Sequence, residues 1–169
     1  GYWLQQHGID GYYAREPVEP ENLAAFFARL RAGEFAGCNV TMPHKEASLA
    51  LVDDIDARVQ RMGSLNTVYH DGGRLCATST DGPGFVASVQ DAVPGFNLAD
   101  RPVLLLGAGG SARAIADELL RIGTETIFVH NRTRARAEEL AQLLGPAIVP
   151  VDAQDMAART ADCGLVVNT

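Results

Sequence analysis

The stretch Val103-Leu-Leu-Leu-Gly-Ala-Gly-Gly-Ser-Ala-Arg-Ala-Ile-Ala116 decides the fold. Val103 to Leu106 is an unbroken apolar run, as expected of a strand buried on both faces of a parallel sheet. Gly107, Gly109 and Ala112 then fit the spacing G-x-G-x-x-[G/A]. The first glycine permits a tight turn, the second lets backbone approach a pyrophosphate, and the small third residue lets helix pack on strand. The next helix places Ala112, Ile115, Ala116, Leu119 and Leu120 on one face and ends at Gly123. Its first N–H groups and dipole would favour phosphate. Downstream the alternation continues, with strand Thr126–His130, helix Arg134–Leu144, and strands Ala147–Val151 and Leu165–Val167. Strand–helix repetition with short connections predicts a doubly wound parallel sheet with right-handed crossovers.

Upstream of this unit, Pro94 to Pro102 is polar and carries Gly95, Asn97 and Asp100, which marks a domain boundary. Before it, the pattern is mixed. Residues 1–7 read as the last turns of a helix stopped by Gly8. Tyr12 to Ala14 reads as a short strand, and Glu21 to Leu30 as a helix with Leu23, Phe26, Phe27 and Leu30 at helical spacing. Gly37 to Thr41 is a strand candidate. Pro43 suits a first helical turn, predicting a helix to about Val52. Thr67–His70 and Arg74–Ala77 flank Asp71-Gly72-Gly73, a hairpin signal. Gly82 to Val93 reads as one more helix. The chain opens inside a helix and closes on an apolar strand, so it is expected to be a piece of a longer protein.

Composition narrows the function. The 169 residues are 47% hydrophobic and 21% charged, with net charge −7, which is globular and ill suited to nucleic acid. The charge is uneven: residues 1–100 carry 7 basic and 13 acidic side chains, whereas 101–169 carry 7 and 8, a better match to an anionic ligand. No window reaches the ~18 apolar residues of a membrane span. Cys38, Cys76 and Cys163 are odd in number and lack zinc-site spacing, so neither a disulfide framework nor a metal site is indicated. A reducing cytoplasm is the expected setting.

Where a nicotinamide site without a 2′-phosphate would place an acidic residue, the chain has His130-Asn131-Arg132-Thr133, then Arg134 and Arg136. Arginine there can grip a 2′-phosphate, and cations otherwise oppose a helix N-terminus. In the first half, Lys45 is the sole lysine. At a helix start and partly buried, it could move a proton; its spacing alone points rather to a solvated surface residue. His44 reads as structural or solvent-facing. Asp81 reads as a helix N-cap or, if it meets Lys45, as half of an acid–base pair.

The ordered set Asn39-Val-Thr-Met-Pro-His-Lys45, Gly63-Ser-Leu-Asn-Thr67, Ser79-Thr-Asp-Gly-Pro-Gly-Phe85, Gly107-Ala-Gly-Gly110 and Asn131-Arg-Thr133 resembles the shikimate dehydrogenases. The resemblance runs from about Leu4 to Thr169. It implies an α/β chain in which an N-terminal α/β substrate domain, residues 1–98, precedes a Rossmann-like doubly wound NADP-binding domain, residues 99–169. The implied reaction is reversible NADPH-dependent reduction of 3-dehydroshikimate to shikimate. The resemblance matches Lys45 and Asp81 to the catalytic pair, and Thr41, Lys45, Asn66 and Asp81 to substrate contacts. It matches Gly107, Ala108, Gly109, Gly110 and Ser111 to the pyrophosphate turn. Asn131, Arg132, Thr133 and Arg136 match the clasp for the 2′-phosphate. The implied partners are a small-molecule substrate and NADP(H), in a monomer or homodimer. An NAD-linked quinate or shikimate relative, and a non-catalytic NADP-binding relative, are the alternatives. Ser79 departs from the family's usual Asn. The family's early Ser-x-Ser pair and its later Thr-Pro-x-Gly-Met and Gln segments lie outside this sequence.

Overall fold

A computed structural model describes all of residues 1–169. The first part begins with helix α1 (Tyr2–Gln6), followed by Gly8 at φ 63°. A 3-10 turn at Pro20–Asn22 leads into helix α2 (Leu23–Arg31), which buries Leu23, Phe27 and Leu30. Strand β1 (Gly37–Asn39), strand β2 (Asp54–Ile55), helix α3 (Ala57–Met62), strand β3 (Thr67–Asp71), strand β4 (Arg74–Thr78) and helix α4 (Asp81–Ala92) follow. The sheet order is β1-β3-β4-β2, antiparallel except for β2 on β4. Gly72 and Gly73 take φ 55° and 81°, the two positive values a tight hairpin turn requires. Leu30, Val59, Leu65, Val68 and Leu75 form the core beneath this sheet.

The second part runs β5 (Val103–Leu106), α5 (Gly110–Arg121), β6 (Ile127–His130), α6 (Arg134–Leu144), β7 (Ile148–Pro150), α7 (Met156–Asp162) and β8 (Leu165–Asn168). All four strands are parallel in the order β7-β6-β5-β8. The direction of winding reverses between β5 and β8, and ligands of such sheets bind outside the strand ends at that reversal. Leu105, Ala112, Ile115, Leu119, Ile127, Val129 and Leu140 fill its core. Val86 of α4 and Leu98 join that core, so α4 packs on the second sheet's side.

Three expectations fail locally. Tyr12–Ala14 forms no strand: no neighbour pairs with it, and Tyr12 is 87% exposed. Pro43 does not open an α-helix; the segment turns and then makes a 3-10 turn at Ala47–Leu51. The Lys45 carbonyl accepts the Leu65 N–H at 3.2 Å, which diverts it from an α-helical ladder, and the Met42–Pro43 bond is cis. The helix dipole expected to act on Lys45 is therefore absent. Asp81 is the first residue of α4 rather than its N-cap, which is Thr80. The structure also adds α3, α7 and β2. Helix α3 is bracketed by Asp56, whose Oδ1 accepts the Val59 N–H at 2.8 Å, and by Gly63 at φ 62°.

Candidate functional site

Two parts of the chain meet where α5 begins. A Cβ built on Gly110 would lie 3.3 Å from Ser64 Oγ and 3.8 Å from Lys45 Cδ. The glycine-rich turn of the second sheet thus lies beside the lysine of the first part. The close packing continues along the helices. A Cβ on Gly82 would lie 2.4 Å from the Ala114 carbonyl oxygen, so only glycine lets α4 approach α5 this closely.

Lys45 and Asp81 come together. Lys45 Nζ donates to Asp81 Oδ2, with the two side chains 13% and 28% exposed. The turn after Pro43 carries the lysine and the start of α4 carries the aspartate. Asn66, buried at the start of β3, donates from Nδ2 to Asp81 Oδ1 at 2.6 Å. Its Oδ1 accepts the Thr80 N–H at 3.0 Å. An ammonium and a carboxylate in contact, half-sheltered from water, can pass a proton to or from a hydroxyl placed beside them. Thr41 is exposed on the same turn, and its carbonyl accepts the His44 N–H at 2.9 Å. His44 faces away from this pair: its Nε2 meets the Val18 carbonyl at 2.8 Å. Ser79 is buried, and its carbonyl lies 3.5 Å from Arg58 Nη1.

The glycine-rich side of the site is built from β5, β6 and their loops. Gly107 has φ 122°, and an added Cβ there would strike Thr169 Oγ1 at 2.2 Å, so the turn closes against the end of β8. The Gly107 N–H donates to the His130 carbonyl at 2.8 Å, which ties the turn to the end of β6. Nothing in the chain stands within 4 Å of a Cβ on Gly109, leaving backbone open to an approaching group. Ala108 is buried beneath the turn and Ser111 is exposed in the first turn of α5. The helix leaves its first N–H groups without internal partners. At the end of β6, Asn131 Nδ2 donates to the Thr133 carbonyl at 2.8 Å. The Thr133 hydroxyl makes no cap bond. Arg132 and Arg136 are exposed and form no ion pair, whereas Arg134 is held by Glu138 at 2.8 Å and by Asp152. Those two carboxylates hold the Arg134 guanidinium above its ordinary pKa, Asp152 contributing most. The fit to a dinucleotide phosphate is therefore direct: open backbone, a helix N-terminus and two free guanidinium groups.

Sequence reasoning missed the contacts that join the two parts. Arg58 Nη2 of α3 donates to Glu118 at 3.1 Å, and Arg121 holds the same carboxylate. Arg61 grips Asp117 with bonds of 2.7 and 3.0 Å. Asp117 and Glu118 are 4% and 2% exposed. The Arg121 hydrogen bond, then its charge and that of Arg58, holds the Glu118 carboxyl below its usual range. Arg113 of α5 reaches Glu46, next to Lys45, at 3.3 Å. The three cysteines are half-buried, and burial pushes the Cys38 thiol up to about 11, away from reactivity.

Comparison with known proteins agrees with this geometry. The family model for the shikimate dehydrogenase substrate binding domain matches residues 1–68, and that for shikimate / quinate 5-dehydrogenase matches residues 88–169. The chain is 43% identical over 169 residues to the shikimate dehydrogenase (NADP(+)) of Brucella ovis, covering all of this chain and 58% of that protein. It is 45% identical over 168 residues to its counterpart in Rhodopseudomonas palustris, covering 99% of this chain and 59% of that one. The chain thus spans somewhat over half the length of these curated relatives. The shikimate 5-dehydrogenase of Thermus thermophilus, solved with NADP(H) and shikimate, superposes with TM-score 0.86 at 37% identity over 98% of this chain and 59% of that one. A four-stranded parallel sheet with an open glycine turn, set against a lysine–aspartate pair, and these matches on both sides of it, make the chain a member of the shikimate dehydrogenase family.

Proposed function

We propose that the parent protein catalyses the reversible NADP-linked conversion of shikimate to 3-dehydroshikimate, a step of aromatic amino-acid biosynthesis. The observation that carries this reading is the Lys45–Asp81 pair, with Asn66 on its second carboxylate oxygen, set against Gly110 at the start of α5. Oxidation of a secondary alcohol needs a hydride acceptor on one side of the carbon and a proton acceptor at the hydroxyl. The bound dinucleotide supplies the hydride chemistry.

The chain's own residues do the rest. Residues 1–98 present the substrate side and 99–169 the nucleotide side. Thr41, Asn66 and Asp81 bind substrate hydroxyls. Lys45 exchanges the hydroxyl proton, and Asp81 holds its ammonium in place. Gly107, Ala108, Gly109, Gly110 and Ser111 take the pyrophosphate. Asn131, Arg132, Thr133 and Arg136 grip the adenosine 2′-phosphate through charge-assisted hydrogen bonds. The enzyme works as a monomer or homodimer in the cytoplasm. No helix is long and apolar enough to cross a membrane.

The test is NADPH formation from shikimate by the full-length parent, run beside NAD and beside quinate. Turnover of shikimate with a strong NADP preference is expected. A preference for NAD or quinate overturns the assignment of the Arg132 clasp. Binding of NADPH without turnover overturns the catalytic reading of Lys45 and makes the protein a non-catalytic relative.

A further inference from the structure

The side chains behind the Lys45–Asp81 pair form a directed chain of hydrogen bonds. Tyr13 donates its phenol hydrogen to Asn39 Oδ1 at 3.0 Å. Asn39 Nδ2 donates to Thr67 Oγ1 at 3.1 Å, and Thr67 Oγ1 donates in turn to Asn66 Oδ1 at 2.8 Å. Asn66 Nδ2 then donates to Asp81 Oδ1 at 2.6 Å. Every link points the same way, towards the carboxylate.

An asparagine amide can sit in two orientations with nearly the same shape, and its neighbours decide between them. Reversing Asn66 would aim its carbonyl oxygen at the Asp81 carboxylate, two acceptors together. It would also aim its NH2 at the Thr80 N–H, two donors together. The Thr80 hydroxyl lies within reach of both ends of the amide, at 3.1 Å from Nδ2 and 3.3 Å from Oδ1, so it does not choose. Thr67 does. Its hydroxyl accepts from Asn39, which leaves its own hydrogen free for Asn66 Oδ1. Asn66 is 8% exposed, so a lost partner there is not cheaply replaced by water. Tyr13 and Asn39 are exposed, and their link contributes less.

We propose that Thr67 is a positioning residue: its hydroxyl, oriented by Asn39, locks the Asn66 amide so that its NH2 faces Asp81. It thereby keeps the second carboxylate oxygen, Oδ2, aimed at Lys45. The catalytic consequence rests on the function proposed above; the lock itself does not.

The experiment uses the full-length parent, with Thr67→Val, Thr67→Ser and Asn39→Ala variants. Solvent exchange of the Asn66 side-chain NH2, read by nitrogen-15 NMR, should quicken about tenfold in Thr67→Val, the effect of one net hydrogen bond. Thr67→Ser should restore it. Asn39→Ala should quicken it about threefold, and this variant decides the matter if Thr67→Val does not fold. An Asn66 amide unchanged by these substitutions, or not restored by serine, overturns the lock. In turnover, Thr67→Val should lower kcat/KM for shikimate about tenfold, with KM for NADP within about twofold. In an Asn66→Ala background the same substitution should do nothing more, because Thr67 acts through Asn66. A further loss in that background overturns the proposal by showing an independent route. Absence of shikimate turnover in the unmodified parent refutes the functional reading instead, and the amide measurement still decides the lock.

Discussion

At Lys45 the charged groups are held by one another, whereas Arg132 and Arg136 form no ion pair with the chain. The lysine faces Asp81, which faces Asn66, which is fixed by Thr67 and the Thr80 N–H. The arginines after β6 stand in solvent without an ion pair, while Glu138 and Asp152 are spent on Arg134. The difference is the one that the proposed roles of the two ends require. Proton transfer needs donor and acceptor placed to within a fraction of an ångström before the substrate arrives, and a closed polar network supplies that order. Grip on a doubly charged phosphate needs free donors, because a guanidinium already paired must give up its partner first. Under those roles one end is ordered by the protein and the other would be completed by a ligand.

The sharpest way to break this contrast is Lys45→Ala in the full-length parent. If the pair performs the proton transfer, kcat for shikimate should fall about 10²–10⁴-fold, while NADPH affinity measured by fluorescence titration stays near that of the unmodified protein. A loss under about tenfold would remove Lys45 from the chemistry. It would also reduce the network to a structural one.

The next effect concerns how the two ends are held in register. Helix α5 starts with the glycine-rich turn and, two turns on, is clamped to α3 through Glu118 and Asp117. Glu118 is 2% exposed and serves both Arg58 and Arg121. Glu118→Gln keeps the shape and removes the charge, and should cost about 2 kcal/mol at neutral pH in urea unfolding. Its native carboxyl is held below the ordinary value near 4.3, chiefly by the Arg121 hydrogen bond, so the folded state binds its proton less readily than the unfolded one. The stability it contributes is then complete above about pH 4.3 and drains away as pH falls through the lower native value. The unmodified protein should lose stability more steeply below about pH 4 than the variant does. Parallel acid limbs would mean that the clamp does not depend on charge.

This clamp is also where the sequence was least legible. In the second unit every strand and every helix but α7 was readable, because buried parallel strands and amphipathic helices announce themselves by unbroken and 3.6-period apolar runs. Helix α3 has six residues and two buried apolar ones, Val59 and Met62, too few to show a period. Only its brackets, Asp56 before and Gly63 after, carried a signal. Nothing local marks Asp117 and Glu118 as buried, since their partners on α3, Arg61 and Arg58, lie 56 and 60 residues away in the chain. The expected helix after Pro43 failed for the same reason: Leu65 captures the Lys45 carbonyl, a long-range bond that no local propensity encodes. At the candidate site, Lys45 and Asp81 were nameable as residues. That they touch was a matter of tertiary structure.

Arg132→Ala tests the open end. It should lower NADP affinity about tenfold, the loss of one exposed charge-assisted contact, and leave NAD affinity within about twofold. Equal losses for both cofactors would show that Arg132 meets something common to the two, and the contrast between the ends would lose its basis.

The smallest effect is the most discriminating. Arg134 lies between Arg132 and Arg136 in sequence, carries the same charge and starts the same helix, yet Glu138 and Asp152 already occupy it. If proximity of positive charge alone selects NADP, Arg134→Ala should weaken NADP nearly as much as Arg132→Ala does. If free donors matter, it should change the ratio of NADP to NAD affinity by less than about twofold, because the guanidinium it removes was not available to a phosphate. Removing it also frees two carboxylates on the same surface. Any change in NADP affinity caused by that release should fade as salt is raised, whereas the Arg132 effect should persist through its direct contact.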